Sequence, residues 1–181
     1  RLRIFYPASG DLEAKRRAHE RSTATLNAVA LMGDHPNILK VVDVPNENNY
    51  VVESSEWSET GTLRDLLNQK DSPNPSKTVK IILGIARGLD LAHSHHVIHR
   101  ALSPENVLIV NDIPKLMNFD LSYQLEEDRI TVIPDATKIK RTPYIAPEVL
   151  FGGITQEASA DLFSLGVIFY EMLTGSIPFK C

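Results

Sequence analysis

The stretch His99-Arg100-Ala101-Leu102-Ser103-Pro104-Glu105-Asn106-Val107-Leu108 lies where two kinds of periodicity meet. Before it, Val79 to His93 carries Ile81, Ile82, Ile85, Ala86, Leu89 and Ala92, spacings that define one buried face of a helix. After it, Val107 to Val110, the pair Asn111-Asp112, and Lys115 to Phe119 read as a hairpin. The quoted residues therefore join a helix to a hairpin.

Outward from this joint the plan is mixed. Gly61 precedes a short helical stretch, Leu63 to Leu67, and Asp71-Ser72-Pro73-Asn74-Pro75-Ser76 reads as a surface loop. Val41 to Val44 and Tyr50 to Val52 are β-branched runs around Pro45-Asn46-Glu47-Asn48-Asn49, a second hairpin. From Asp11 to Met32 the residues favour helix, with Leu12, Ala14, Ala18, Leu26, Ala28 and Leu31 among charged neighbours. Asp11 and Glu13 suit the positive end of its dipole. Gly33-Asp34-His35-Pro36-Asn37 breaks that helix, and Leu2 to Tyr6 reads as a strand. Toward the other end, residues 121–141 are polar with little periodicity and read as a mobile loop. Ala160 to Leu173 is apolar on nearly every side, interrupted by Asp161, Ser164 and Glu171, and predicts a centrally buried helix. The order is α+β, with a sheet portion first and a helical portion after it. No internal repeat or low-complexity tract interrupts it.

Composition narrows the class further. A hydrophobic share of 43% argues against wholesale disorder. Nineteen basic and 23 acidic residues leave a formal charge of −4, too mild to announce a nucleic-acid or anionic-membrane partner. The single cysteine, Cys181, cannot form an internal disulfide, which favours a reducing compartment and a cytoplasmic location. No apolar run approaches the roughly 20 residues a membrane helix needs, and Arg1-Leu2-Arg3-Ile4-Phe5 has no signal-peptide core.

The stretch from His99 to Leu108 resembles the catalytic loop of eukaryotic-type protein kinases, normally H-R-D-L-K-P-E-N. Eleven residues past Asn106, Met117-Asn118-Phe119-Asp120 stands where that family has D-F-G. Ala146-Pro147-Glu148 matches the A-P-E that closes the activation segment, and Asp161-Leu162-Phe163-Ser164-Leu165-Gly166 resembles the opening of the family's central helix. His35-Pro36-Asn37-Ile38 and Gly61-Thr62-Leu63 fit the end of the αC region and the helix after the hinge. Six motifs in order are specific where any one alone is weak. The resemblance implies a two-lobed, protein-kinase-like α+β fold. Residues 1–53 would hold a partial N-lobe (strand, αC-like helix, hairpin), and 54–181 the hinge and a partial helical C-lobe. The fold is expected to be incomplete at both ends, its glycine-rich loop preceding Arg1 and further helices following Cys181.

The departures fall on residues that do chemistry in the family. Ala101 replaces the aspartate that accepts the substrate proton, help worth roughly 10² to 10⁴ in rate. Ser103 replaces the lysine that steadies the transferred phosphoryl. Asn118 replaces the magnesium-binding aspartate, and a neutral amide oxygen compensates poorly toward a hard cation. Asp120 replaces the glycine. Arg141 stands where the family has a threonine touching the missing aspartate and lysine, with Thr142 one residue closer to the A-P-E.

The resemblance also assigns nucleotide-binding candidates. Arg3 occupies the place of the phosphate-gripping lysine, with an exposed arginine on an edge strand as the alternative. The partner glutamate should lie about nine residues before His35, but that neighbourhood reads Thr23-Ala24-Thr25-Leu26, and Glu20 is more than a turn away. Val52 matches the gatekeeper, Glu53 and Ser55 the hinge, and Leu108 the floor under adenine; the alternative is that Val52 and Leu108 fill the core. Asn106 retains an oxygen for a metal. Asp161 is implied to brace the loop backbone, and His99 to pack on Phe119. Glu148 is implied to pair with an arginine beyond Cys181. Arg100 either meets a phosphate on Thr131, Thr137 or Thr142, or pairs with a carboxylate or solvent. The imidazoles of His93, His95, His96 and His99 lack zinc-ligand spacing.

The resulting expectation is a pseudokinase with a regulatory or scaffolding role and a protein partner. It would retain ATP binding with magnesium weak or absent, and bind neither nucleic acid nor membrane. It is similar to degenerate kinase-like modules of large bacterial multidomain kinases, some linked to phage defence. One alternative is a divergent, active Ser/Thr kinase in which Glu105 or Asp120 takes over a lost carboxylate role. The other is a metal-binding interaction protein built on the histidines.

Overall fold

In a computed structural model of the chain, the described residues are 2–5, 23–43, 51–69, 74–119, 123–124, 142–150 and 158–179. Strand β1 (Leu2–Phe5) is followed by helix α1 over residues 23–32, then β2 (Val41–Asp43) and β3 (Val51–Ser55). These strands form an antiparallel sheet in the order β1-β3-β2, with Leu2 opposite Ser54 and Val42 opposite the same residue from the other side. The expected second hairpin is thus present, and its second strand runs on to Ser55. Residues 11–22 of the expected first helix lie outside the described residues.

Helix α2 (Leu63–Leu67) begins with a reciprocal capping box. The Thr62 hydroxyl accepts from Asp65 N, and the Asp65 carboxylate accepts from Thr62 N at 2.7 Å. Helix α3 (Pro75–Ser94) starts earlier than its apolar periodicity indicates. Asn74 caps it by accepting from Lys77 N at 2.8 Å, and Pro75 fills the first helical position, where a missing N–H costs nothing. Pro75 and Ser76 therefore belong to the helix, which corrects the loop assigned to them above. The buried face of α3 is Ile81, Gly84, Ile85, Gly88, Leu89 and Ala92, whereas Ile82 and Ala86 lie at its margin.

After β4 (Val97–Ile98), a 3₁₀ turn (Pro104–Asn106) leads into β5 (Val107–Val110) and β6 (Ile113–Leu116). Asn111 and Asp112 both have positive φ, 51° and 63°, the signature of a two-residue primed turn. This turn closes the hairpin at Leu116, so Met117 to Phe119 leave the strand expected to hold them. Residues 121–141 read as structureless, yet β7 (Tyr123–Gln124) pairs antiparallel with β4; the remainder lies outside the described residues.

Helices α4 (Pro147–Leu150) and α5 (Ser159–Thr174) complete the element order. Among the described residues α5 is not buried on every side. It buries Asp161, Ser164 and Glu171 with Val167, Ile168 and Met172, and exposes Leu162, Tyr170 and Leu173. The polar residues face inward because each finds a partner there; Ser164 Oγ, for instance, donates to Tyr144 O at 2.7 Å. No described helix is long and apolar enough to cross a membrane.

The core joins Ile81, Ile85 and Leu89 of α3 to Leu63, Leu102, Ile109, Leu116, Phe119 and Ile168. Two glycines of α3 permit a closer contact. A Cβ at Gly84 would meet Pro114 Cγ at 2.5 Å, and one at Gly88 would meet Asn37 O at 2.8 Å. In that space Asn37 O accepts from Leu116 N at 2.8 Å, and the Asn37 amide donates to Pro114 O at 3.0 Å. The turn after α1 is thereby pinned to both α3 and β6. Gly88→Ala should destabilise the fold by about 1–3 kcal/mol through overpacking, despite the roughly 1 kcal/mol helix-propensity gain of alanine. Gly166→Ala on α5, where none of the described residues lies within 4 Å, should instead be neutral or stabilising by about 0.5–1 kcal/mol. Urea unfolding of the two variants beside the parent checks both signs.

Candidate functional site around the loop from His99 to Asn106

The loop is fixed first by Asp161, whose side chain is fully buried on the first turn of α5. Its Oδ2 accepts from His99 N and faces His93 Nε2, each at 2.8 Å, and its Oδ1 accepts from Arg100 N at 2.8 Å. Burial would raise this carboxyl. The His93 bond, the nearby His99 and the two backbone donors outweigh it and hold the group below the usual aspartate range. Arg100 has φ 62°, a left-handed conformation uncommon for residues other than glycine, and the Asp161 bond to its N–H helps hold it there. His99 is buried beside Phe119, ring centroids 4.7 Å apart. Its Nδ1 accepts from Ala101 N at 3.3 Å, so Nε2 carries the proton and donates to Met117 O at 3.0 Å.

Beyond Ala101 the loop closes on itself. The Asn106 amide donates to Ala101 O at 2.6 Å, and Asn106 N donates to Ser103 O at 2.9 Å. Asn106 also reaches the segment after β6: its O accepts from Met117 N at 3.1 Å, and its Oδ1 accepts from the Asn118 amide at 2.8 Å. Ala101, Ser103, Asn106 and Asn118 are thus one connected group. Ala101 presents a methyl group at its head.

Of the remaining candidates, Leu108 is buried on β5, and the segment after β3 lies against this strand. Gly61 O accepts from Ile109 N at 2.9 Å, Thr62 bridges Leu108, and the Ser58 hydroxyl donates to Ile109 O. Arg3 lies on an edge of the described sheet, paired in register with Glu53, and Val52 pairs with Ile4. Ser55 ends β3, half-buried. On α1 the inward positions are Thr25, Ala28 and Met32, so no described carboxylate of α1 faces inward; Glu20 lies outside the described residues. Glu148 is exposed at the start of α4. Thr142 is half-buried, while Asp120, Thr131, Thr137 and Arg141 lie outside the described residues.

One cluster escaped the sequence reading. Arg64 of α2 binds Glu105 Oε1 through Nε at 2.8 Å and Glu171 Oε1 through Nη1 at 2.7 Å, and its Nη2 donates to the Tyr144 hydroxyl. Tyr144 in turn donates to Glu171 Oε2 at 2.5 Å. Burial would lower the guanidinium, yet Glu171 and Glu105 hold it above the ordinary arginine range. Burial and Glu171 push the Tyr144 phenol up. Burial would raise Glu105, and the Arg64 bond holds it below the usual glutamate range. Four elements meet here: α2, the loop, the approach to α4, and α5. The only signal in the sequence was the polar interruption of an apolar helix by Glu171.

Residues 11–181 match the family model of the protein kinase domain. The chain belongs to the protein kinase family. It is 31% identical over 171 residues to a probable serine/threonine-protein kinase of Clostridium perfringens, covering 93% of this chain and 24% of that protein. It is 33% identical over 160 residues to the serine/threonine-protein kinase PknB of Mycolicibacterium smegmatis, covering 84% and 25%. The serine/threonine-protein kinase PrkC of Bacillus subtilis is 28% identical over 180 residues, covering 98% and 26%. The chain spans about a quarter of the length of these curated relatives.

Protein kinases use ATP with magnesium, and the residues of this kinase chain do not fit the metal. Ala101 O can only accept, which orients the Asn106 amide toward it and leaves Asn106 Oδ1 facing Asn118. Asn118 must then present N–H to that oxygen. Asn118 thus presents a donor toward Asn106 Oδ1, where a cation would need a second acceptor. Among the described residues, no group of three or more His, Cys, Asp or Glu side chains is placed to hold a metal. The histidines are dispersed, His93 on Asp161, His99 on Met117 O and His95 on Leu91 O at 3.0 Å.

Asp161→Asn would set an amide N–H against one of three converging donors. At pH 7 we expect a loss of roughly 2–4 kcal/mol. The native carboxylate contributes fully above the ordinary aspartate value, about 3.9, and loses that contribution as pH falls through its lower folded value. The gap between parent and variant should therefore narrow below about pH 4. Urea unfolding at neutral and acid pH measures it.

Proposed function

We propose that this kinase-family chain is a pseudokinase, a regulatory or scaffolding module that acts on a protein partner in the cytoplasm without transferring phosphoryl groups. One observation carries the reading. The loop offers a methyl group at Ala101, and the nearest carboxylate along it, Glu105, is held by Arg64 at 2.8 Å. A carboxylate stabilised as its anion by a guanidinium is a weak base. This argues against Glu105 assuming the lost role. Ser103 in place of a lysine removes a cation from the position where phosphoryl charge would gather. We divide the chain as a partial N-lobe over 1–53 and a hinge with partial C-lobe over 54–181. The buried Leu108 beside the segment following β3 suits an adenine floor, and nucleotide binding without magnesium accords with the engaged oxygen of Asn106.

The second reading, an active Ser/Thr kinase, is favoured by the relatives, two of them serine/threonine-protein kinases and one a probable one. Phosphotransfer by the full protein, beside a variant with Ala101→Asp, Ser103→Lys and Asn118→Asp, separates the two. We expect no turnover above background from the parent; robust turnover sinks the pseudokinase reading. For the nucleotide, ATP should raise the melting temperature equally with and without Mg²⁺. No shift at millimolar ATP would remove that part.

A further inference from the structure

We propose that the amide chain from Asn118 through Asn106 to Ala101 does the mechanical work of a divalent cation. It fastens the segment after β6 to the loop with no metal. The inference rests on reading this cleft as a degraded kinase site, and its test needs no phosphotransfer, so either can fail alone.

The directions of the hydrogen bonds settle which atom does what. Ala101 O is a carbonyl and only accepts, so the Asn106 group within 2.6 Å of it is the NH₂. Asn106 Oδ1 then faces outward and is met at 2.8 Å by Asn118, whose own NH₂ must supply the proton. The chain has one polarity throughout. Reversing either amide would set two donors or two acceptors together.

The surrounding bonds reinforce the same joint. Met117 N donates to Asn106 O, and Met117 O accepts from His99 Nε2. The backbone of Met117 and the side chain of Asn118 are thus gripped from three directions. Asn118 adopts φ 63°, a left-handed conformation that asparagine enters more readily than most residues. A divalent cation in this position would need oxygens converging on one point. Here the Asn118 N–H donates to Asn106 Oδ1 instead, and neither side chain carries a charge that attracts a cation.

Replacing the donor exposes the device. In N118D a carboxylate oxygen would confront Asn106 Oδ1 with no proton between them, the arrangement a cation relieves. We therefore expect N118D, in the full protein with EDTA and no nucleotide, to melt at least roughly 2–4 °C below the parent. Millimolar Mg²⁺ or Mn²⁺ should restore the loss while leaving the parent unmoved. The proposal is overturned if the parent shows saturable stabilisation by Mg²⁺, or if N118D melts with the parent in EDTA and ignores the metal. Should N118D not fold, Mn²⁺ broadening on the unmodified protein decides the matter. With asparagine side chains labelled with ¹⁵N, the Asn106 and Asn118 amide signals should stay sharp as Mn²⁺ is added. Their selective broadening would overturn the proposal.

Discussion

Asp161 carries a negative charge into the interior of an apolar helix, and such a charge survives only where donors converge on it. Three do: two successive backbone N–H groups of the loop and an imidazole from the end of α3. The same bonds that satisfy the carboxylate dictate where His99 and Arg100 lie. From that anchor the rest of the loop follows, since His99 reaches both Ala101 and Met117, and Asn106 reaches back to Ala101 and across to Asn118. The loop that carries Ala101 and Ser103 is thus held by a carboxylate that lies outside it.

Family membership rests on the scaffold, and the departures from the family's motifs fall at a few side chains. The match extends over residues 11–181, and the helices, hairpins and loop that embody it are built from packing and capping, which tolerate the loss of an acid or a base. Relative to the family's motifs, the loop has lost an aspartate and a lysine, and the following segment an aspartate. What stands in their places is small or, at Asn118, an amide, and that amide bonds to the retained Asn106. Folding needs polar groups to be satisfied, and catalysis needs some of them to remain available. At Asn106 and Asn118 this chain meets the first requirement.

Much of the fold was legible because it depends on local spacing. Ile81, Ile85, Leu89 and Ala92 recur at helical intervals and do face the core, and Asn111-Asp112 marks a turn that two positive φ angles realise. The start of α3 was missed because Pro75 ends helices in most contexts and begins them only behind a cap such as Asn74. The burial of α5 was misjudged for a different reason. Hydropathy ranks Leu162 and Leu173 inside and Glu171 outside, yet Glu171 is buried because Arg64 and Tyr144, 107 and 27 residues away in sequence, come to meet it. No local window contains those partners. The Asn118 to Asn106 bond was hidden likewise: the sequence showed an amide where the family has an acid, and only the Ala101 carbonyl reveals which way that amide points.

The contact at Gly84 and Gly88 differs in kind from the rest of the core. Elsewhere side chains interdigitate and can exchange rotamers to absorb a small displacement. Here the backbone at Gly88 lies close to the Asn37 carbonyl and that at Gly84 close to the Pro114 ring, with Asn37 fastened to β6 at both its amide and its carbonyl. Such a joint has few torsions with which to yield. Helix α1 springs from it, and its ten described residues span about 15 Å. Its inward positions Thr25, Ala28 and Met32 are buried along that length, so the turn at Asn37 and this face together fix where α1 lies.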